Sequence, residues 1–209
     1  MLDIVYPLCY YVFAHSLLER ASVGPPADSW RVRHHPLVHN SHRPNVSDLD
    51  NKEMVIWVSG SRSITSFGLV AKLIVASGLE ITELAHGDQP GVRVGDKWLE
   101  TVDRLAARWA KARGIPVKPV EAEWKKWGLK AGPIRNGQGL MWVRDRAIDL
   151  GDEPGCLCLH DGVSRGTRDS FDKARNTYGM MTCLVTVSAK EAKFEYFNSD
   201  RQNFVLQIS

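Results

Sequence analysis

From Met54 to Val187 the sequence alternates short apolar runs with amphipathic segments of helical period. The apolar runs have the length of strands, and the segments between them repeat apolar residues every three or four positions, as helices do. Strands that alternate with helices of this length require right-handed crossovers and a mostly parallel sheet covered on both faces. We therefore predict an α/β fold with at least five strands and with helices on both faces of the sheet.

The predicted strands span residues 54–58, 80–85, 115–120, 155–160 and 181–187. Helical segments are expected to begin near Ser66 and Val102 and to lie within 130–150 and 167–178. Residues 54–187 would thus form the main domain. Residues 188–209 contain two further apolar runs on either side of a polar stretch, which predicts a C-terminal hairpin or arm.

Residues 1–53 differ in composition and are expected to form a poorly structured leader outside the sheet. Five of the seven histidines lie in this leader: His15, His34, His35, His39 and His42. Their spacing matches no pattern of metal ligands, so no metal site is predicted there. Met54 opens the first core strand, which leaves open whether residues 1–53 belong to the native protein.

Composition excludes some classes of function. The chain has 209 residues and a formal net charge of +3, so it lacks the overall basic field of non-specific nucleic-acid binders. No apolar run has the length of a transmembrane helix, and no membrane role is expected. Cys156 and Cys158 lie in an apolar strand, so we interpret them as core residues without a disulfide, in a reducing, cytoplasmic compartment.

Four polar, glycine-containing stretches follow predicted strands or lie close to strand ends: 60–62, 86–88, 131–136 and 161–167. Parallel sheets bind ligands at the carboxyl ends of their strands, so these stretches are expected to form one site. Glycine lets the backbone approach a ligand, free N–H groups at a helix start attract anions, and arginine pairs with phosphate. Such turns are common singly, so the prediction of a phosphate site depends on all four.

The last of these stretches carries the most information. Gly162 and Gly166 allow tight turns, and Thr167 is placed to cap the next helix. Ser164 and Arg165 offer further hydrogen-bond donors. A simple capped turn between strand and helix would have the same composition. Together with the other three stretches, we interpret it as an anion-binding nest, that is, a turn whose backbone N–H groups converge.

Six motifs follow one another along the chain: Gly60-Ser61-Arg62, His86-Gly87, Asp103-Arg104-Leu105-Ala106, Glu123-Trp124, Lys130-Ala131-Gly132-Pro133-Ile134-Arg135-Asn136 and Asp161-Gly162-Val163-Ser164-Arg165-Gly166-Thr167. This order resembles the YspA/YpsA-related branch of the SLOG superfamily, over residues 54 to about 187. The resemblance implies a Rossmann-like fold that binds a nucleotide or nucleotide-derived ligand at the strand ends. The superfamily includes DprA and the LOG phosphoribohydrolases, and some members sense nucleotide signals in bacterial and phage conflict systems.

The chain departs from this family in two places. Residues 88–100 are an insertion, which would reshape one wall of the pocket. LOG enzymes carry a catalytic glutamate in a Gly-Thr-x-x-Glu motif, and this chain has Ser170 at that position. Asp169 lies one position away, which rotates it by about 100° around a helix. The resemblance therefore disfavours phosphoribohydrolase activity.

The predicted function is the capture of a nucleotide or nucleotide-derived phosphorylated ligand, as a sensor or sequestering protein, without a metal or cofactor and as a homo-oligomer. The expected ligand-binding residues are Gly60, Ser61, Arg62, His86, Gly87, Lys130, Gly132, Arg135, Asn136, Gly162, Ser164, Arg165, Gly166 and Thr167. One alternative is a hydrolase of a nucleotide N-glycosidic or phosphoester bond, with Asp103, Glu123 or Asp161 as catalytic candidates. The other is a DprA-like binder of single-stranded DNA, which the near-neutral charge disfavours.

Some side chains in these stretches have competing interpretations. Arg135 is expected to contribute to ligand binding and little to folding, since arginine beside Gly132 suits a phosphate. Trp124 and Trp127 could stack on a base, but their spacing favours packing of one face of a turn against the domain. The tryptophans at 57, 109 and 142 are assigned to the core.

Overall fold

The computed structural model describes residues 52–208, and its main element is a seven-stranded sheet. The strands of this sheet are β1 (Glu53–Gly60), β2 (Glu80–His86), β5 (Val117–Pro119), β6 (Glu153–His160), β7 (Met181–Val187), β8 (Glu191–Phe197) and β9 (Phe204–Gln207). A separate antiparallel hairpin consists of β3 (Val92–Val94) and β4 (Lys97–Leu99). The α-helices are α1 (Phe67–Ala76), α2 (Val102–Lys111), α3 (Trp124–Trp127), α4 (Ala131–Leu150) and α5 (Arg165–Asp172). A short 3₁₀-helix (Gly128–Lys130) precedes α4, and a π-helical turn (Lys173–Thr177) follows α5.

The strand order is β5-β2-β1-β6-β7-β8-β9. The first five strands in this order pair in parallel, which confirms the predicted α/β fold. Strands β8 and β9 pair antiparallel, so the tail forms a hairpin that extends the sheet. Residues 1–51 and residue 209 lie outside the described residues, and with them the predicted leader (apart from Lys52 and Glu53) and its five histidines.

Successive side chains of a strand point to opposite faces, so the central strand β1 builds two cores. Met54, Ile56 and Val58 belong to the core that α1 and α2 cover. Val55 and Trp57 belong to the opposite core, which α4 and α5 cover. The predicted helices on both faces are therefore present, and they leave the ends of the strands uncovered.

The chain order explains where a ligand crevice would form. From β1 the chain runs to β2 and then to β5, each the next strand along one side of the sheet. It then crosses through α4 to β6, on the other side of β1. The strand order thus reverses between β1 and β6, and the crevice outside their carboxyl ends is the usual binding position in open α/β sheets.

Helix α4 approaches β1 closely because Gly139 carries no side chain. A Cβ at this position would overlap the ring of Trp57, which is buried as predicted. Trp109 is buried as well, and Trp142 packs on the second core.

The two tryptophans of α3 are not part of either core. Trp124 and Trp127 are 47% and 43% exposed, so their rings are only partly covered. Helix α3 has only four residues, none of them buried, and so short a turn cannot cover both rings.

The cysteines of β6 lie in the second core. Cys156 and Cys158 are buried free thiols, and their sulfur atoms lie 3.5 Å apart. Within residues 52–208, no helix is both long enough and apolar enough to cross a membrane.

Candidate functional site

Four strand ends line up along the carboxyl edge of the sheet, in the order β5, β2, β1 and β6. Neighbouring strands are about 4.8 Å apart, so this edge spans roughly 14 Å. The predicted stretches 60–62, 86–88 and 161–167 follow β1, β2 and β6. The stretch 131–136 is not a loop, because it forms the first turns of α4. Its Pro133 is compatible with this position, since a helix start needs no N–H bond there.

The turn after β2, residues 86–88, is here named the His86 corner. Nδ1 of His86 accepts a hydrogen bond from the N–H of Asp88, at 3.0 Å. Asp88 adopts a left-handed φ of 44°. Burial lowers the pKa of His86 to about 4, with Lys111 adding to the effect and Asp88 opposing it. The ring is therefore neutral at pH 7 and closes the turn.

The turn after β6, residues 160–162, repeats this arrangement and is named the His160 corner. Nδ1 of His160 accepts a hydrogen bond from the N–H of Gly162, at 2.9 Å, and Nε2 donates to the carbonyl of Ser164, at 3.1 Å. Gly162 has a φ of 88°. His160 is not among the residues predicted from the sequence. The signal was present, because two strands end in histidine and each is followed, two residues on, by a residue that tolerates a left-handed backbone.

Arg135 lies under the His86 corner, with only 12% of its side chain exposed. Its Nη1 donates to the carbonyl oxygen of Gly87 and lies 3.8 Å from Oδ2 of Asp103. A Cβ on Gly87 would overlap this guanidinium group, so the glycine makes room for it. The expectation that Arg135 contributes little to folding therefore has to be corrected. The guanidinium bonds the backbone of one strand end and pairs with a buried carboxylate.

Asp103 is the acidic partner in this arrangement. Its Oδ2 accepts the N–H of Gln89 at 3.0 Å, and its side chain is 6% exposed. Burial raises the pKa of Asp103 to about 6, while Arg135 and the Gln89 bond pull it down. A carboxyl group that titrates near neutrality can exchange a proton, but these neighbours cover it.

Asp161 occupies the predicted anion-binding nest with its own carboxylate. Its Oδ1 accepts the N–H groups of Val163 and Ser164, at 3.0 and 2.9 Å. Its Oδ2 accepts the hydroxyl of Ser63 at 2.6 Å. Partial burial alone would raise the pKa of Asp161, but these hydrogen bonds outweigh it and lower the pKa. The turn is therefore already filled by an anion, and a phosphate there would compete with it.

Ser61 joins the ends of β1 and β6. Its N–H donates to the carbonyl of Leu159, and its hydroxyl oxygen accepts the N–H of Asp161. The side chain is fully buried and so serves this junction. Gly60 has a packing role too, because a Cβ there would overlap Val102 at the start of α2.

The start of α5 differs from the prediction in one detail. Ser164, not Thr167, is the capping residue, and its hydroxyl oxygen accepts the N–H of Thr167 at 3.4 Å. The hydroxyl of Thr167 bonds Ser164 in turn. The N–H groups of Arg165 and Gly166 belong to the first turn, which has no acceptor of its own for them. Within the described residues they have no hydrogen-bond acceptor and can donate to an anion.

Asn136 ties α4 to α5. Its side-chain N–H₂ donates to the carbonyl of Gly166 and to Asp169, at 3.3 and 2.9 Å, and its oxygen accepts from Arg135. Asp169 also pairs with Lys173, at 2.7 Å. The predicted ligand residue Asn136 therefore uses its amide internally.

Arg62 and Arg165 are both exposed and make no ion pair with any residue from 52 to 208. Burial lowers the pKa of Arg135, Asp103 opposes this effect, and the charge of Arg62 adds to it. Lys130 is exposed directly before α4, and Gly132 is in its first turn, with space for a side chain.

Two depressions flank this group of residues. A cleft of about 290 Å³ is lined by Gly87, Asp88, Gln89, Pro90, Glu121, Ala122, Trp124 and Arg135. An open groove of about 540 Å³ is lined by His160, Gly162, Val163, Ser164, Arg165, Arg168, Asp169 and Asp172. The insertion 88–100 forms the β3–β4 hairpin, and its first residues make one wall of the cleft. Glu123, a catalytic candidate, is not among the residues that line either depression.

Comparison of the chain with protein-family models and with curated proteins found no match. The resemblance to the SLOG superfamily therefore stays a prediction.

Proposed function

We propose that the protein binds a nucleotide or nucleotide-derived phosphorylated ligand along the carboxyl edge of its sheet, as a SLOG-type sensor or sequestering protein. The observation that carries this proposal is a pair of exposed arginines without ion-pair partners among the described residues. Arg62 follows β1 and Arg165 follows β6, on either side of the point where the strand order reverses. Unpaired guanidinium groups at this position suit a phosphate.

The phosphate is expected between Arg62 and the start of α5. There the N–H groups of Arg165 and Gly166 have no hydrogen-bond partner among residues 52–208, and the positive end of the helix dipole adds to the attraction. The turn between Asp161 and Ser164 is a poorer position, because the Asp161 carboxylate fills its amides. The proposed phosphate position is therefore the first turn of α5, which includes Gly166, one of the ligand-binding residues predicted from the sequence.

The rest of the ligand has room on the other side of β1. The cleft lies beside the ends of β2 and β5, which are on average about two strand spacings, or roughly 10 Å, from β1 and β6, the strands that precede the two arginines. This is comparable with the reach from base to phosphate in one nucleotide. A ligand with a phosphate at one end and a planar apolar group at the other fits this edge.

The test is isothermal titration of Arg62→Ala and Arg165→Ala with nucleoside monophosphates at fixed ionic strength. Each change should weaken binding by about 1.5–3 kcal/mol, because each removes a charge-assisted hydrogen bond. Arg144→Ala, on the body of α4 beside Asp145, is the control and should bind like the wild type. Equal affinity in all three variants would contradict the proposal.

A hydrolase is the second candidate, and one observation favours it. The pKa of Asp103, raised to about 6, is suited to proton transfer at neutral pH. Arg135 and Gln89 cover this carboxylate, however, so it lacks direct access to a ligand in the cleft. Release of free base from a nucleoside monophosphate, lost in Asp103→Asn, would favour the hydrolase over the binder.

A further inference from the structure

Three polar backbone groups in the cleft are satisfied within the protein. The carbonyl of Gly87 accepts from Arg135. The N–H of Gln89 donates to Asp103, and the carbonyl oxygen of Gln89 accepts a hydrogen bond from the hydroxyl of Thr101, at 3.1 Å. A ligand that enters the cleft therefore gains little from these groups, and recognition has to come from the side chains of the wall.

One carboxylate on that wall is free. Asp88 has a partner, because its Oδ1 lies 3.4 Å from Nε of Arg104. Glu121, which follows β5, is exposed and forms no hydrogen bond or ion pair with any residue of the described range 52–208. Its two oxygens can accept two parallel N–H bonds from a ligand.

The same wall presents an aromatic ring. Trp124 lines the cleft and is 47% exposed, and its ring edge lies 3.5 Å from the position that a Cβ on Gly132 would take. Trp127, one turn later, does not line the cleft. Its indole N–H donates to Glu123 at 3.2 Å, and the Lys126 amino group lies 4.9 Å from its ring centre. Trp124 is thus the ring whose surface is open to the cleft.

A half-exposed indole beside an unpaired carboxylate suits a planar ring with N–H donors on one edge. A volume of about 290 Å³ is near the lower limit of small-molecule sites, roughly 300–1,000 Å³, which is enough for one nucleoside. Stacking alone accepts any base. The carboxylate adds selectivity, because only guanine presents a ring N–H and an amino group side by side. Uracil places its ring N–H between two carbonyl oxygens, which repel a carboxylate.

We infer that this cleft is a nucleobase subsite in which Trp124 stacks on the base and Glu121 accepts the N–H groups of guanine. The inference rests on the proposed function above, since the same ligand would place its phosphate at Arg62 and Arg165. It adds the class of ligand, a guanine nucleotide, and two specificity-determining residues. Adenine and cytosine, with an amino group but no adjacent ring N–H, rank below guanine, and uracil ranks last.

The experiment is a calorimetric titration with GMP, AMP, CMP, UMP and guanosine at fixed ionic strength. GMP should bind at least tenfold more tightly than UMP. Trp124→Ala should weaken GMP binding roughly 10- to 100-fold, the loss of one stacked base, while Trp127→Ala leaves it unchanged. Trp124→Phe should recover most of the affinity. Glu121→Gln should remove the preference for GMP over the other nucleotides, and Glu123→Gln should keep it.

The outcomes separate the two proposals. If the four nucleotides bind equally and Trp124→Ala binds like the wild type, the base subsite is wrong, and the phosphate site stands as long as Arg62→Ala is impaired. If guanosine binds but Arg62→Ala and Arg165→Ala bind GMP like the wild type, the subsite stands and the phosphate site fails. If none of the five compounds binds, both fail. Should Trp124→Ala lose its fold, Trp124→Phe and Glu121→Gln decide the question.

Discussion

The His86 corner and the His160 corner are built alike but differ in the acid that serves them. In each, a histidine at a strand end accepts the N–H two residues later, and that later residue has a left-handed backbone. In the His86 corner the acid, Asp103, comes from α2 and is buried, so its pKa is raised. In the His160 corner the acid, Asp161, is part of the turn, and hydrogen bonds lower its pKa.

The difference decides which corner has its turn amides already occupied by a carboxylate. Asp161 bonds the amides of its own turn and thereby fills the position that an anion would take. Asp103 instead holds Arg135 and the N–H of Gln89, which leaves a cleft between this loop and the wall at Trp124. The same turn thus has its amides occupied at one strand end and adjoins a cleft at the other, because the acid is supplied from inside the turn or from a neighbouring helix.

The largest effect is expected from removing the cation of the His86 corner. Arg135→Ala leaves Asp103 buried without its partner and the Gly87 carbonyl without its donor. Breaking a buried pair on one side costs about 3–5 kcal/mol of unfolding free energy, and urea unfolding at pH 7 would measure it. Arg165→Ala, at the exposed side of the His160 corner, should change stability by no more than about 0.5 kcal/mol. Equal stability of the two variants would show that Arg135 is free for a ligand, as the sequence suggested.

The next effect is the pH dependence of stability. The pKa of Asp103 is about 6 in the folded protein and about 3.9 in an unfolded chain, so the folded state binds more protons between these values. Its contribution to the unfolding free energy therefore falls by about 2 kcal/mol as pH rises from 4 to 7. His86 acts in the opposite direction, because its folded pKa of about 4 is below the unfolded 6.5. Its contribution is lost as pH falls through that window.

Two asparagine variants measure these contributions. In urea unfolding at several pH values, the stability of the wild type minus that of Asp103→Asn should decrease as pH rises from 4 to 7. The variant should also show the acid-side loss caused by His86, which Asp103 offsets in the wild type. For Asp161→Asn the difference should stay flat from pH 4 to 7 and decrease below about pH 4, because a lowered pKa stabilises above the unfolded value of about 3.9 and the benefit is lost in more acidic solution. A parallel pH profile for the two variants would remove the distinction between the corners.

The sheet could be predicted from the sequence because its strands are local features, and strand 181–187 has the predicted bounds. The start of α4 could not, since Gly132 and Pro133 are typical of loops and only the first turn of a helix accepts both. The hydrogen bonds that Asp161 accepts from Val163 and Ser164 form a local turn, of a kind that the residues of this stretch allow. The burial of Arg135 was not predictable, because its partner Gly87 lies on another strand end.

The smallest expected change in stability concerns the backbone conformation of the two corners. Gly162 has a φ of 88°, and no atom lies within 4 Å of the position that a Cβ would take, so Gly162→Ala should lose about 1 kcal/mol from backbone conformation alone. Asp88 has a φ of 44° in the other corner, and aspartate tolerates this region better than alanine. Asp88→Gly relieves the remaining strain but loses the exposed pair with Arg104 and makes the unfolded chain more flexible, so its net change should stay within about 0.5 kcal/mol. Thermal unfolding of both variants gives the comparison. A neutral Gly162→Ala, or a gain of about 1 kcal/mol or more in Asp88→Gly, would show that the two corners do not share one backbone geometry.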